Sequence, residues 1–450
     1  MNRATLALTL TLAASTALAA PPPTTTAPAA PAAPTAPTPT TLGWPADTTA
    51  VSVTRTSHVR VAPDAKAAPL GKIVAGTRVA WTALVAGDRR CPVWVAIAPA
   101  GYLCADVLTP TTEPPGGVAQ PPLAPGALLP GDYFDVVADD TPAYRDATAL
   151  ERDDPPILLS THVMVRGRGE VEVGGMDYVR TNKGLVPASE LRPLAPSGFV
   201  GLDLRAAPAP WPMAFVAPDH PAVVRAAPAR DAAVLEQRPA RAVVWVKQRA
   251  GDWIEIAAGA WVRARELRPV IAAPPPAGLA ADAPWIDIDL EHQTLVAYQG
   301  ARPVYVTLVS TGRKAGTTSV GVYRVVAKAA TTGMAAEADE RNQYDVGEVP
   351  WALRWKRGLY LHAAYWHDRF GDKKSHGCVN LAPKDARYVY GLTTPHVPPG
   401  WTSSYEHAGE PGSVVRVRKT MDVGEDRRTI NDVEQDRAPE GDAVLADRGG

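Results

Sequence analysis

Proline-rich linker segments, called joints below, divide this chain into short segments. Each of these segments has to fold as a small unit. Proline fixes its own backbone angle and lacks the N–H donor that a helix or a central strand needs. The joints lie at residues 113–126, 195–199 and 272–284, and 46 of the 450 residues are proline. A chain of this length is expected to hold about three domains of ordinary size. The sequence therefore predicts several small domains connected by extended linkers.

The segments between the joints alternate apolar and polar residues, as short antiparallel strands do. The stretch "AVVWVKQRAGDWIEIAAGAWVRA" is one example. A weak internal repeat accompanies this pattern, because Trp94 and Trp253 are each followed 14 residues later by Leu-x-Pro. In the middle segment Tyr178 takes the place of the tryptophan, and Leu-x-Pro follows 13 residues later. We predict a mainly β chain with three small β-barrels, at residues 48–112, 127–195 and 212–271, of which the middle one is degenerate.

The two ends of the chain differ from these segments in composition. Residues 1–19 combine Arg3, an apolar run and an Ala-x-Ala pattern, which predicts a secretory signal peptide. Residues 20–47, rich in Pro, Ala and Thr, predict an extended linker, and the charged residues 419–450 predict a disordered tail. No later window reaches about 18 uncharged apolar residues, so we expect no membrane span. The formal net charge of −1 gives no attraction to nucleic acid. We expect an exported monomer.

The chain has three cysteines, an odd number for an exported protein. Such a protein can pair two of them and leave one thiol free, and a free thiol outside the cytosol indicates reactivity. Cys91 and Cys104 lie 13 residues apart in one short apolar region, as two strands of a small barrel would place them. We predict a Cys91–Cys104 disulfide and a free Cys378.

From about residue 285 a new pattern begins, with a β-hairpin in "WIDIDLEHQTLVAYQGARPVYVTLVSTG" and further strand candidates behind it. The free cysteine follows in "SHGCVNL", with His362 16 residues before Cys378 and with His367 and His376 between them. A nucleophilic cysteine needs a base, because the thiolate attacks and a free thiol has a pKa near about 8.5. Gly377 suits a sharp turn that presents the thiol beside backbone N–H groups.

These residues resemble two families. The segments that open with "VRVAP" and "VRAAP" resemble bacterial SH3-like domains, which attach to cell-wall peptides or act as spacers. "SHGCVNL" with its upstream histidine resembles the L,D-transpeptidase catalytic domain of the YkuD type, over residues 284–418. The stretch "GTTSVGVYRV" is similar to a strand entry of that family, although Ser319 replaces the usual proline.

The second resemblance implies a function for the site. Such enzymes cleave the bond between diaminopimelate and D-Ala in a peptidoglycan tetrapeptide stem, hold the acyl group as a thioester and pass it to an amine, without a cofactor. By this resemblance Cys378 is the nucleophile and His362 the general base, oriented by a backbone carbonyl near Ala363. The same resemblance predicts further roles: an oxyanion hole from the amides of Gly377 and Cys378, positioning by Ser375, His376 and Asn380, and a cleft lined by Tyr365 and Trp366. The protein is then expected in the periplasm or cell wall, with peptidoglycan stem peptides as partners and a second stem, a D-amino acid, a wall-linked protein or water as acceptor.

Several alternatives stay open at the level of sequence. Cys378 can instead be a buried apolar residue or, with the histidines, a zinc ligand, although the spacing matches no standard zinc motif. His367 can replace His362 as the base, and Tyr365 and Trp366 can belong to the core. The same catalytic fold can act as a hydrolase, or the chain can be an inert wall-binding protein.

Overall fold

The structure, a computed structural model, describes residues 42–205, 211–336 and 344–420. Strands dominate it, with two α-helices, α1 (Ala147–Glu151) and α2 (Pro383–Leu392). The prediction of a mainly β chain is confirmed. The predicted signal peptide and tail residues 421–450 lie outside the described residues. None of the helices in the described part is long and apolar enough to cross a membrane.

The first module, residues 48–112, folds into eight strands around one apolar core. Two antiparallel sheets enclose this core, in the orders β4-β1-β8 and β3-β2-β7-β6-β5. Their bounds are β1 (Ala50–Val53), β2 (Ser57–Arg60), β3 (Pro69–Ile73), β4 (Arg78–Val79), β5 (Trp81–Ala86), β6 (Val93–Ile97), β7 (Tyr102–Cys104) and β8 (Leu108–Thr111). A disulfide bond joins Cys91 to Cys104 at the edge of this core.

The second module, residues 127–195, has seven strands and its own core. Its long strand β12 pairs with β9 at one end and with β13 at the other, beyond a register shift after Gly167. The bounds are β9 (Tyr133–Val136), β10 (Thr141–Ala143), β11 (Ile157–Leu159), β12 (Val163–Val173), β13 (Met176–Thr181), β14 (Gly184–Pro187) and β15 (Leu191–Pro193).

The third module, residues 212–271, follows the two-residue strand β16 (Leu202–Asp203). Its sheets have the orders β20-β17-β24 and β19-β18-β23-β22-β21. The bounds are β17 (Met213–Val216), β18 (Ala222–Arg225), β19 (Val234–Arg238), β20 (Val243–Trp245), β21 (Gln248–Ala250), β22 (Trp253–Ala257), β23 (Ala260–Arg263) and β24 (Leu267–Val270).

The repeat seen in the sequence corresponds to equivalent positions in the three modules. The first and third modules share one strand order, and Trp94, Tyr178 and Trp253 are all buried on the matching strand of their module. Each of these aromatic residues is the strand partner of the residue that directly precedes a short 3-10 helix. That 3-10 helix leads into the last strand of the module. Since a buried aromatic ring fills the same place each time, tyrosine can replace tryptophan. The assignment of these modules to the SH3-like family stays a prediction.

The C-terminal domain, residues 284–418, packs strands and helix α2 around two apolar cores. One sheet has the order β16-β27-β26-β25-β34-β28, and the facing sheet contains β33, β29, β30, β31 and β32. The bounds are β25 (Pro284–Asp289), β26 (Thr294–Gln299), β27 (Arg302–Leu308), β28 (Gly321–Arg324), β29 (Ala327–Ala335), β30 (Asp345–Lys356), β31 (Leu359–Ala363), β32 (Val379–Leu381), β33 (Trp401–Tyr405) and β34 (Val414–Arg418).

The modules join this domain through strand pairing, and two predicted boundaries move. Strand β3 pairs with β33, and β12 pairs with β30. Trp44 lies in the predicted linker but packs edge-to-face on Trp81, so residues 42–47 belong to the first module. Thr420, predicted to lie in the tail, donates from its hydroxyl to Asp289 at 2.8 Å, so the ordered chain extends past residue 418.

Candidate active site

Two neighbouring parallel strands bring the histidine and the cysteine of the motif together. Strand β31 carries His362, and β32 begins directly after Cys378; in their register His362 lies opposite Asn380. Side chains two residues apart on an extended strand share a face, so Cys378, Asn380 and His362 point to the same side. All three line one cavity of about 530 Å³.

His362 is almost completely buried, with 2% of its surface exposed. Its Nδ1 atom lies 3.0 Å from the carbonyl oxygen of Ala363. A carbonyl accepts only, so Nδ1 carries the proton and Nε2 keeps a free lone pair. Burial, which outweighs the effect of this hydrogen bond, lowers the pKa of His362 to about 4. The imidazole is therefore neutral at physiological pH and able to accept a proton.

The thiol of Cys378 is partly exposed to the cavity but has protein on most sides. Burial raises the pKa of Cys378 to about 11, although the backbone N–H groups of Tyr360 and of Cys378 itself favour the thiolate. Its Sγ lies 3.7 Å from the carbonyl oxygen of Gly358. The resting site thus holds a neutral thiol beside a neutral imidazole.

The turn before Cys378 is held by hydrogen bonds to hydroxyl groups. Ser375 Oγ donates to the Cys378 carbonyl at 2.6 Å and accepts the Gly377 N–H at 3.1 Å. Thr318 Oγ1 donates to the Gly377 carbonyl at 2.7 Å. A Cβ at Gly377 would lie 3.0 Å from the carbonyl oxygen of Thr317, so this close approach favours glycine.

One of the two predicted oxyanion-hole donors already has a hydrogen-bond partner in the turn. The N–H of Gly377, expected in an oxyanion hole, already donates to Ser375 and is engaged in the turn. The N–H groups of Tyr360 and Cys378 face the sulfur instead. Sequence reasoning missed Tyr360, whose position two residues before His362 on β31 was the available signal.

His367 is half-buried and lies next to Asn380. Its Nδ1 accepts the backbone N–H of Arg369 at 3.1 Å, so a neutral His367 carries its proton on Nε2. The structure places Nδ2 of Asn380 2.8 Å from that nitrogen, and Oδ1 of Asn380 is buried without a partner among the described residues. Two donors cannot bond to each other, so we assign the amide in the reversed orientation, with its oxygen toward His367 and its NH2 group on the other side. His367 thereby orients Asn380.

The remaining predicted residues divide between the cavity and the core. His376 lines the cavity, stacks on Tyr344 with ring centres 4.9 Å apart, and has Nε2 3.4 Å from Arg313. Trp366 also lines the cavity. Tyr365, expected on the cleft wall, is instead fully buried and donates from its hydroxyl to the Gly347 carbonyl at 2.7 Å. Its ring packs against that of Tyr133 within the apolar core.

One wall of the cavity comes from outside the C-terminal domain. The second module contributes four side chains: Asp135, Thr161, His162 and Met164. They lie more than 200 residues before Cys378 in the chain, so no local sequence signal relates them to the motif. Within the described parts of the chain, no three His, Cys, Asp or Glu side chains are grouped as a metal ion would require.

Comparison with known families agrees with this geometry. Residues 283–417 match the family model YkuD, the L,D-transpeptidase catalytic domain. The catalytic domain recognised in the sequence is confirmed over these residues, and this family acts on peptidoglycan stem peptides. No curated protein matches the chain.

Solved structures of L,D-transpeptidases are also similar to parts of the chain. A mutant of the Enterococcus faecium L,D-transpeptidase is 22% identical, with 30% of this chain and 50% of that chain covered and a TM-score of 0.23. The catalytic domain from the same organism, solved by NMR, is 22% identical over 30% of this chain and 98% of that chain, with a TM-score of 0.24. L,D-transpeptidase 3 from Mycobacterium tuberculosis, in complex with a faropenem-derived adduct, is 20% identical over 41% of this chain and 72% of that chain, with a TM-score of 0.25. This chain spans about half the length of the first of these proteins.

Proposed function

We propose that this protein is an exported peptidoglycan L,D-transpeptidase that uses Cys378 as its nucleophile. The observation that carries the proposal is the position of His362, which lines the same cavity as Cys378 and has Nδ1 bound to the Ala363 carbonyl. The fixed tautomer leaves Nε2 as the nitrogen that can accept a proton, as a general base for a thiol requires.

The first step is acylation. Since both the thiol and the imidazole rest in their neutral forms, the proton moves from Sγ to His362 as the sulfur attacks the carbonyl carbon of diaminopimelate. A C–S bond forms, the bond to D-Ala breaks, and His362 returns the proton to the leaving amine. The N–H groups of Tyr360 and Cys378 are the candidate donors for the charge that develops on the oxygen.

The second step transfers the acyl group to an acceptor amine. The amine attacks the thioester carbonyl, the C–S bond breaks, and the amine proton passes through His362 to the thiolate of Cys378. These residues complete the reaction, and the proposal assigns no cofactor. An enzyme that acts on peptidoglycan stem peptides has to reach them in the periplasm or cell wall. The Cys91–Cys104 disulfide is stable in such an oxidising compartment.

Mass spectrometry of the intact protein with a purified disaccharide-tetrapeptide tests this function. We expect a thioester adduct, release of D-Ala and a dimer joined between two diaminopimelate residues. Tripeptide without dimer would identify a hydrolase, with water as the acceptor. No adduct and no product would leave an inert wall-binding protein.

A further inference from the structure

The second module is joined to the catalytic domain by paired strands and ion pairs. Strand β12 lies parallel to β30, with Val163 opposite Asp345 and Met164 opposite Val346. The Asp345 N–H also donates to the His162 carbonyl at 3.1 Å. A spacer needs no such contacts, so the module has a defined place on the domain.

Charged side chains reinforce this junction around one glutamate. Arg166 Nη1 lies 2.6 Å from Glu348 Oε2, and Arg168 pairs with the other oxygen of the same carboxylate. Glu348 is mostly buried, and buried pairs hold their geometry better than exposed ones. Tyr133 extends the contact into the core, where its ring lies 4.0 Å from that of Tyr365.

The junction brings one acidic side chain to the active-site cavity. Asp135 lies in the middle of its sheet, opposite Met164 on β12 and Arg192 on β15. Its Oδ2 pairs with Arg192, and Oδ1 has no hydrogen bond to the described part of the chain, so this oxygen can bind a ligand. Among the described residues that line this cavity, Asp135 is the carboxylate, with 15% of its side chain exposed.

The opposite wall carries the positive groups. Arg313 and Lys374 line the cavity on the side of the "SHGC" turn. The cavity is thus divided by charge, with cations beside Cys378 and an anion on the second module. A donor stem bears carboxylates and suits the cationic side, whereas an incoming amine is a cation in water and suits the anionic side.

We propose that the second module forms the acceptor side of the active site and that Asp135 binds the amine of the acceptor. Its carboxylate collects the ammonium form from solution and, once a proton has been lost, accepts an N–H from the neutral amine. The nitrogen lone pair is then free to attack the thioester carbonyl, with the bond changes described for transfer. This inference rests on the proposed function, because it assigns a residue to its second step.

The test separates the two steps in the full chain. Acyl-enzyme formation is followed with a disaccharide-tetrapeptide whose diaminopimelate side-chain amine is acetylated, so that it can donate but not accept. Transfer is followed by adding disaccharide-tripeptide, with its free amine, as the acceptor. We expect Asp135→Asn to raise the KM for the acceptor about tenfold, as expected for the loss of a charge-assisted hydrogen bond. Acylation should change much less, and the ratio of hydrolysis to transfer should rise.

Arg192→Gln is the matched control. It breaks the same ion pair but keeps the carboxylate, so it should leave the acceptor KM near the wild-type value. Equal effects of the two substitutions would show that the ion pair only supports the fold and would overturn the inference. So would an unchanged acceptor KM in Asp135→Asn with normal acylation. A wild-type enzyme that forms no adduct would instead reject the proposed function itself.

Discussion

The imidazole of His362 and the carbonyl oxygen of Ala363 lie 3.0 Å apart on one strand. In many hydrolases a carboxylate holds the catalytic imidazole and stabilises its protonated form. A neutral carbonyl fixes the tautomer but gives less stabilisation to an imidazolium ion. Together with burial, this favours a site in which thiol and imidazole stay neutral until substrate arrives.

Replacing the proposed nucleophile should abolish turnover without unfolding the protein. Cys378→Ala removes one sulfur atom from a position that is partly exposed to the cavity, so we expect little change in the melting temperature. No covalent adduct should form with a tetrapeptide or a carbapenem, as measured by intact mass. Adduct formation by this variant would show that another residue attacks.

The pH dependence of acylation should reflect the neutral resting pair. The pKa of His362 lies at about 4 and that of Cys378 at about 11, so kcat/KM is expected to be flat between these values. It should fall below about pH 4 as His362 becomes protonated and can no longer accept the thiol proton. Rates of acylation measured across the pH range check this. A decline centred near 6.5 would contradict it and indicate a solvated histidine.

His362→Gln should lower kcat/KM by about 100- to 10,000-fold, the usual contribution of a general base. Glutamine keeps a polar group at the site but cannot take up the proton. In this variant kcat/KM should also no longer fall as the pH drops below about 4, because the group that is protonated there is absent. A similar loss in His367→Gln with little loss in His362→Gln would reassign the base to His367.

Stability should decrease as the pH is lowered from about 6.5 toward 4. Burial lowers the pKa of His362 and of His367 to about 4 in the folded protein, so between these values the unfolded chain binds more protons. At pH 4 each histidine should lower the free energy of unfolding by on the order of 1–3 kcal/mol. Asp385 acts in the opposite direction, because burial raises its pKa to about 6. Urea unfolding at pH 7 and pH 4.5 should therefore be compared between wild type and His362→Gln, which should lose less stability at the lower pH.

Sequence patterns predicted well those features of the structure that depend on residues close together in the chain. The "SHGC" turn, the upstream His362 and the repeated aromatic positions all depend on neighbours in sequence, and the structure brings the first two to one cavity. The wall that contains Asp135 depends on the pairing of β12 with β30, which no local pattern specifies. The position of Tyr365 in the core and the engagement of the Gly377 N–H depend likewise on packing and hydrogen bonds formed only in the folded chain.

His367 should control the orientation of the Asn380 side chain. One polar atom of the Asn380 amide lies 2.8 Å from His367 Nε2. Because Nε2–H needs an acceptor, we assign the amide oxygen to this position, so that His367 directs the NH2 group away from itself. His367→Phe keeps a ring of similar size but no donor, so the amide is free to turn, and we expect kcat to fall about tenfold at an unchanged melting temperature. His367→Gln can donate to the same oxygen and should restore much of the rate. Steady-state kinetics with the disaccharide-tetrapeptide measure both variants. Equal activity of His367→Phe and wild type would show that His367 only fills space beneath the site.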